Sequence, residues 1–116
     1  MTPSSCPDVS IRGDDGKGDD SPSKQHRGRL MAIVHGHVQG VSFRYYTRQR
    51  ARGLGLVGYV RNCQDGTVEI VAEGPESSLW RLHAWLHHGP SLARVLRVDS
   101  HWDAPQGEFR SFGVRY

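Results

Sequence analysis

The sequence predicts an α+β fold in which two helices cover one face of an antiparallel β-sheet. Two observations lead to this prediction. Beyond residue 29, strand-like and helix-like segments follow one another in the order β-α-β-β-α-β, and a short strand-like segment comes last. An Asp-Gly pair, a strong signal for a hairpin turn, lies between the second and third strand-like segments. Two helices and a sheet connected in this order form the split βαβ arrangement.

The first half of the pattern, residues 30–62, predicts a strand, a loop, a helix and a second strand. Residues 30–35 are a short apolar run followed by a glycine, which is typical of a strand, and residues 37–42 are predicted to form a loop. Over residues 43–54, the side chains of one face recur at spacings of three and four, which predicts a helix that glycines end. Residues 56–62 are again strand-like.

The second half of the pattern predicts a strand, a helix and two further strands. Residues 67–73 alternate between apolar and polar side chains, as a half-buried strand does. Gly-Pro-Glu at residues 74–76 opens a helix, because proline suits the first helical position and an acid suits the first turn. This helix carries a stripe of leucines and stops at Gly-Pro, residues 89–90. Alternation over residues 93–102 and 109–116 predicts the last two strands.

The first 28 residues differ in composition from the rest of the chain. Only four of them are apolar, and the others are mainly serine, proline, glycine and charged residues. Such a stretch cannot bury enough apolar surface to offset the entropy lost on ordering. We therefore expect a disordered tail over residues 1–28 and one folded domain over residues 29–116, which is long enough for one modest core.

Charge and cysteine content narrow the class of protein. The net charge is +3, and all eleven basic residues beyond residue 28 are arginines. Arginine suits forked binding of phosphate or carboxylate, but codon bias is the favoured explanation for the absence of lysine. The two cysteines are too few for a disulfide framework or a zinc site by themselves. The sequence has neither the apolar region of a secretory signal nor a run of the ~20 apolar residues that a membrane span needs. We expect a cytoplasmic protein that makes no contact with a membrane.

Residues 36–44, with the sequence GHVQGVSFR, lie between the first predicted strand and the first predicted helix. A glycine-bearing loop that leads into a helix can point its backbone N–H groups at one anion. Arg44 follows in the first helical turn and can grip the same anion with two hydrogen bonds. The alternative is a tight turn whose glycines only supply positive φ angles. The stretch is neither a dinucleotide fingerprint nor a P-loop, because it lacks the required glycine spacing and lysine.

Residues 36–44 resemble the acylphosphatase signature G-x-V-Q-G-V-x-F-R. A second stretch, GYVRNCQDGTVE at residues 58–69, matches the pattern G-[WY]-V-[RK]-N-x-x-D-G-x-V-E of the same family. The resemblance extends over residues 29–116 and departs from the family mainly at Cys63, where many members have threonine. It implies the ferredoxin-like split βαβ sandwich, in agreement with the order of the segments.

The resemblance implies an acylphosphatase, which hydrolyses the carboxyl–phosphate bond of an acyl phosphate to a carboxylate and inorganic phosphate. Arg44 matches the family's catalytic arginine, and Asn62 matches the asparagine that holds the attacking water. The implied enzyme is a monomer that uses no cofactor, no metal and no covalent intermediate. Its partners are a small acyl phosphate and inorganic phosphate or a similar anion, not a nucleic acid. The residues expected around the phosphate are His37, Val38, Gln39, Gly40, Val41, Ser42, Phe43 and Arg44.

Two other functions stay open at this point. The split βαβ fold also serves RNA-binding and ligand-binding modules. The basic surplus favours such a module, as do the arginines of the first predicted helix, Arg44, Arg48, Arg50 and Arg52. Tyr59 is the single aromatic residue on the predicted central strands, however, whereas RNA-binding sheets stack bases on several. The third possibility is an interaction or regulatory domain, as in a hydrogenase-maturation protein whose N-terminal region resembles acylphosphatase.

Several further histidines, one cysteine and one serine have chemistry that could suggest a site. The His-x-His pair at residues 35–37 can indicate a metal site, but no third ligand is near in sequence, and we interpret His37 as a surface residue of the loop. His83 and His87, with His88 beside them, include a pair at the four-residue spacing of metal ligands on a helix, and we interpret them as a solvated helix face. Cys63 is interpreted as a strand residue, since no nearby group would lower its pKa. Ser42 has no adjacent base and is interpreted as a packing or helix-capping residue.

Overall fold

The computed structural model describes residues 26–116, which form five strands and two helices. The strands are β1 (Arg27–His37), β2 (Val57–Asn62), β3 (Val68–Pro75), β4 (Arg94–Asp103) and β5 (Phe112–Arg115), and the helices are α1 (Phe43–Gly53) and α2 (Glu76–Leu86). The predicted order and the predicted α+β class, two helices on one sheet, are confirmed. The predicted disorder of the tail falls almost wholly on residues 1–25, outside the described part of the chain.

The strands form a single sheet with the order β4-β1-β3-β2-β5. The first four of these pair in antiparallel fashion, as predicted. β5 adds to the outer edge of β2 in parallel, so the complete sheet is mixed. β5 is parallel to β2 because of the path of the chain. The last residue of β4 lies at the same end of the sheet as the first residue of β2. A chain that crosses from there to the opposite edge and turns back therefore enters β5 in the direction of β2.

Two strands differ in length from the prediction by more than one residue. β1 begins at Arg27 rather than at residue 30, because its first residues pair with the end of β3. It also continues through Gly36, where its register with β4 shifts. Gly36 has a φ angle of 134°, and any side chain there would collide with the carbonyl oxygen of Arg94, so glycine permits a bulge instead of ending the strand. β5 occupies only part of the predicted residues 109–116.

The loop between β4 and β5 folds back onto the sheet around one buried carboxylate. Glu73 on β3 is 2% exposed. It accepts hydrogen bonds from the backbone amides of Gln106 and Gly107 at 2.9 and 3.0 Å, and from the guanidinium of Arg29 at 2.6 Å. Burial alone would raise the pKa of Glu73, but the two amides and the guanidinium hold that pKa below its ordinary value. These contacts fasten the loop to the centre of the sheet.

The core lies between the two helices and one face of the sheet. The predicted leucine stripe of α2 is fully buried, and α1 buries side chains spaced four residues apart. The sheet contributes Leu30, Ala32, Val34, Val60, Val68, Ile70, Ala72 and Phe112, and the helices contribute Phe43, Ala51, Leu79, Leu82 and Leu86. This packing fixes the C-terminal ends of β1 and β2 relative to the start of α1, which is where the residues with predicted chemistry lie.

Candidate active site

The loop from β1 into α1 ends on a strained backbone. Ser42, the residue before α1, adopts the left-handed conformation with φ 62° and ψ 27°, which is uncommon for a residue other than glycine. Gly40, two residues earlier, has a φ angle of 77°. In this conformation the Ser42 side chain makes no capping hydrogen bond, so the interpretation of Ser42 as a helix cap is wrong. The first N–H groups of α1 therefore have no cap, as an anion-binding helix terminus requires.

Gln39 joins this loop to the hairpin between β2 and β3. Its side-chain amide donates to the carbonyl oxygens of Cys63 at 2.8 Å and Thr67 at 2.9 Å. Across the hairpin, Asp65 accepts hydrogen bonds from the hydroxyl of Thr67 at 2.6 Å and its amide at 3.0 Å, and these bonds lower the pKa of Asp65. The Gln39 side chain thus holds the hairpin, and Asn62 with it, against the loop.

The loop, the first turns of α1, the end of β2 and the β5 end of the chain line a pocket of about 400 Å³. Of the residues expected around a phosphate, this pocket brings together Val38, Gly40, Ser42, Phe43 and Arg44, and it adds Asn62. Three expected residues do not line it. His37 is exposed, Gln39 bonds to the hairpin, and Val41 packs against the core. The structure therefore places both side chains proposed for chemistry, Arg44 and Asn62, on one cavity.

Asn62 is the last residue of β2 and pairs with Val68 on β3. Its side-chain oxygen, Oδ1, is buried and has no hydrogen-bond partner within residues 26–116. A buried polar atom without a partner costs about 1–3 kcal/mol, so native structures rarely leave one unexplained. Asn62 also lines the pocket, which makes this oxygen the candidate acceptor for a water or substrate atom bound there.

Arg44 sits in the first turn of α1 with no carboxylate within 4.0 Å in the described part of the chain. Its guanidinium carbon lies 4.8 Å from the centre of the Tyr116 ring, which also lines the pocket. A cation without a carboxylate partner, beside uncapped helix amides, provides the positive charge that a phosphate dianion needs.

Four residues that line the pocket were not among the predicted site residues. For one of them, Arg48, the sequence contained an indication. Arg48 follows Arg44 by four residues, which places both on the same side of a helix. Tyr45, Val114 and Tyr116 also line the pocket. Val114 and Tyr116 come from the β5 end of the chain and reach the pocket only because β5 pairs with β2.

The other histidine and cysteine candidates lie elsewhere. His35 Nε2 is 2.9 Å from Asp99 Oδ2 on the neighbouring strand. His83 is not solvated as predicted, because it packs against Trp80 and Trp102 and bonds to Ser100; burial, helped by the charge of His87, lowers its pKa. Cys63 lies just beyond β2 and not within it.

Over residues 26–116 there is no group of three or more possible metal ligands. No helix in this range has the length and apolar character to cross a bilayer.

The acylphosphatase family model matches residues 30–114. A curated acylphosphatase from Deinococcus radiodurans is 51% identical over 86 residues, which cover 74% of this chain and 98% of that protein. The crystal structure of acylphosphatase from Bacillus subtilis superposes with a TM-score of 0.74 at 34% identity, covering 77% of this chain and 99% of the other. HypF from T. kodakarensis aligns at 35% identity with a TM-score of 0.66, over 75% of this chain but 12% of its own.

Proposed function

We propose that this chain, which belongs to the acylphosphatase family and is therefore an acylphosphatase, hydrolyses acyl phosphates in one particular pocket. This is the pocket lined by Arg44 and Asn62. The observation that carries this proposal is the convergence on one pocket of three features. These are a carboxylate-free arginine, an uncapped helix terminus and a buried amide oxygen without a partner. Each suits one component of the reaction, namely the phosphate charge, the phosphate oxygens and the attacking water.

In this proposal the phosphoryl group binds against the backbone amides of the loop over residues 37–44. The guanidinium of Arg44 supplies two parallel N–H donors and offsets the charge that builds on the equatorial oxygens. The left-handed backbone at Ser42 supports this placement, since it leaves the first N–H groups of α1 free of a side-chain cap. Backbone donors fixed in place before the substrate arrives need little reorganisation when the transition state forms.

The attacking water is held by the side-chain amide of Asn62. The partnerless Oδ1 supports this role, because a water that donates to Oδ1 has its lone pairs available toward the phosphorus. The Gln39 hydrogen bonds to the hairpin keep Asn62 at a fixed place beside the loop. Fixing nucleophile and phosphoryl group together removes much of the entropic part of the barrier.

The chemistry proposed here needs no general acid, no metal and no covalent intermediate. Phosphoryl transfer passes through a loose transition state, so positioning and electrostatics do most of the catalysis. The leaving group is a carboxylate, which is stable as an anion and needs no proton. A phosphate oxygen of the substrate can accept the proton of the attacking water. We also propose a cytoplasmic monomer, supported by a pocket that one chain lines and by the partly exposed free thiol of Cys63.

The test is hydrolysis of benzoyl phosphate at neutral pH with a chelator present. We expect the wild-type chain to be active, and Arg44→Gln and Asn62→Ala each to lose at least ~100-fold in kcat/KM, about 2.7 kcal/mol of barrier. Arg44→Gln should raise KM as well as lower kcat, whereas Asn62→Ala should act mainly on kcat. Arg81→Gln, which removes an exposed arginine of α2 far in sequence from the pocket, is the matched control and should keep full activity.

An active Arg44→Gln variant, or wild-type activity that the chelator abolishes, would contradict this mechanism. The likeness to a short part of HypF keeps a non-catalytic domain as a second candidate, because the same domain occurs within a longer chain. An inactive wild-type chain in the same assay would favour that candidate. Tight RNA binding that weakens steeply with added salt would favour a nucleic-acid module instead.

A further inference from the structure

Two arginines lie on the pocket, and only Arg44 has a role in the proposed reaction. Arg48 is one helical turn further along α1 and lines the same pocket. We propose that Arg48 is a specificity-determining residue that binds a carboxylate on the acyl part of the substrate, so that acyl phosphates with a second anionic group are preferred. This inference rests on the proposed function and names the substrate class for the same pocket.

The first support is the missing partner of the Arg48 charge. Within residues 26–116 no carboxylate lies within 4.0 Å of Arg48, whereas Arg29, Arg61 and Arg97 each have at least one. None of the residues that line the pocket is an aspartate or glutamate. The pocket therefore has two arginine charges without a carboxylate within 4.0 Å among the described residues, the terminal carboxyl group of Tyr116 included. A phosphate bound to Arg44 would leave the second of them available to another anion.

The second support is the state of the Arg48 side chain. Its Nε atom is buried, and no group in the described part of the chain accepts a hydrogen bond from it. The buried Nε anchors the base of the guanidinium, and the terminal nitrogens are the donors that a ligand in the pocket would meet. The guanidinium carbon lies 5.7 Å from the centre of the Tyr45 ring, which also lines the pocket. This contact with the face of an aromatic ring holds the Arg48 guanidinium in position before a ligand binds.

The third support is the spacing of the two arginines. Four residues of α-helix advance the chain by about 6 Å, so the two guanidinium groups can hold anions at opposite ends of a small molecule. An acyl group of a few carbon atoms or one aromatic ring spans such a distance. Arg44 and the loop would hold the phosphate, and Arg48 would hold the carboxylate at the other end. An uncharged acyl group, which lacks that carboxylate, would leave Arg48 unpaired.

The experiment compares benzoyl phosphate with the same molecule bearing a carboxylate at ring position 3, and with the methyl ester of that carboxylate as a neutral control of similar bulk. We expect the wild-type chain to favour the carboxylate over the ester by about tenfold in kcat/KM. The difference should lie in KM, because Arg48 contacts a part of the substrate that does not change during the reaction. Added salt should reduce the preference, as it does for a partly exposed ion pair.

Arg48→Gln should abolish the preference, and Arg48→Lys should keep part of it. Arg50→Gln is the matched control, because it removes the same charge from α1 at a residue that does not line this pocket and instead stacks on Trp85. It should leave the preference unchanged. Circular dichroism of each variant checks that it is folded, and the salt dependence of the wild-type preference tests the same contact without any substitution.

The outcomes separate the two proposals. Wild-type hydrolysis of benzoyl phosphate with no preference for the carboxylate would overturn the role of Arg48 and leave the proposed function intact. A preference that survives Arg48→Gln, or that does not respond to salt, would overturn it as well. No hydrolysis of any of the three compounds would overturn both proposals. A tenfold preference that Arg48→Gln removes and Arg50→Gln keeps would establish the inference.

Discussion

Replacing the buried carboxylate Glu73 by glutamine tests how much the β4–β5 loop and the sheet depend on one charge. Glu73→Gln keeps the size and shape of the side chain and removes its charge. Three donors converge on the carboxylate: the guanidinium of Arg29 and the amides of Gln106 and Gly107. A glutamine side chain has one acceptor oxygen, so at least one donor would face an N–H₂ group. Arg29, whose side chain is 11% exposed, would lose its close carboxylate partner.

The expected cost is about 3 kcal/mol of unfolding free energy. Hydrogen bonds to charged groups contribute about 1.5–3 kcal/mol each, and leaving a buried charge without its partner costs about 3–5 kcal/mol. The estimate lies at the lower end because glutamine retains some of the bonds. With a urea m-value near 1–1.5 kcal/mol/M for a domain of this size, the midpoint should fall by about 2–3 M.

Urea unfolding followed by circular dichroism measures this cost, and Glu108 offers a matched control. Glu108 lies 4.0 Å from the same arginine but is 56% exposed, so Glu108→Gln should cost less than about 0.5 kcal/mol. Since the pKa of Glu73 is lowered in the folded state, its stabilisation is complete above pH ~5 and is lost as the pH falls through that lowered pKa. The gap between wild type and Glu73→Gln should therefore narrow below pH ~4. Equal costs for the two variants, or a gap independent of pH, would refute this reasoning.

Three further outcomes are expected. Gly58→Ala should destabilise the fold by at least ~2 kcal/mol in urea unfolding, because Gly58 has a φ angle of 141° and a side chain there would collide with the carbonyl oxygen of Val71. Gly53→Ala should be neutral or stabilising, because Gly53 is helical and an added methyl group would have no atom within 4 Å. Gln39→Ala should lower kcat for benzoyl phosphate at least ~10-fold, since two hydrogen bonds that hold the hairpin are lost, and an unchanged kcat would argue against a positioning role. Because burial lowers the pKa of His83, wild-type stability should decline as the pH drops below ~6.5, and His83→Gln should remove that decline in urea midpoints measured from pH 8 to 5.

Local sequence patterns predicted the elements but not the partners that set their ends. The leucine stripe of α2 follows from periodicity and is found. The half-buried alternation predicted for β3 is wrong, because β3 is the central strand of the sheet and is buried from Ile70 to Gly74, including Glu73 under the β4–β5 loop. The start of β1 at Arg27 does not follow from periodicity, because a polar stretch becomes a strand there only by pairing with the end of β3. The parallel placement of β5 depends likewise on the path of the chain between opposite edges of the sheet. Such long-range pairings leave no signal in a local window.

The same distinction between local patterns and long-range contacts applies to the candidate site. Two motifs predicted Arg44 and Asn62, and the fold places them on one pocket. The sequence alone could not show that the Gln39 side chain bonds to a hairpin 24 residues away, or that the oxygen of Asn62 lacks a partner. The four-residue spacing of Arg44 and Arg48 was visible, but only the pocket distinguishes Arg48 from the other arginines of α1.

The position of β5 bears on when the pocket forms during protein synthesis. Val114 in β5 and Tyr116 just after it belong to the pocket wall, and β5 is attached to the sheet through β2. The ribosome makes these residues after every other described element, and chains begin to fold before synthesis is complete. The four antiparallel strands can assemble first around a groove that still lacks one wall. A nascent chain would therefore hold Arg44 and Asn62 in an open, water-filled groove, and catalytic competence would arrive only once β5 has been translated and has docked.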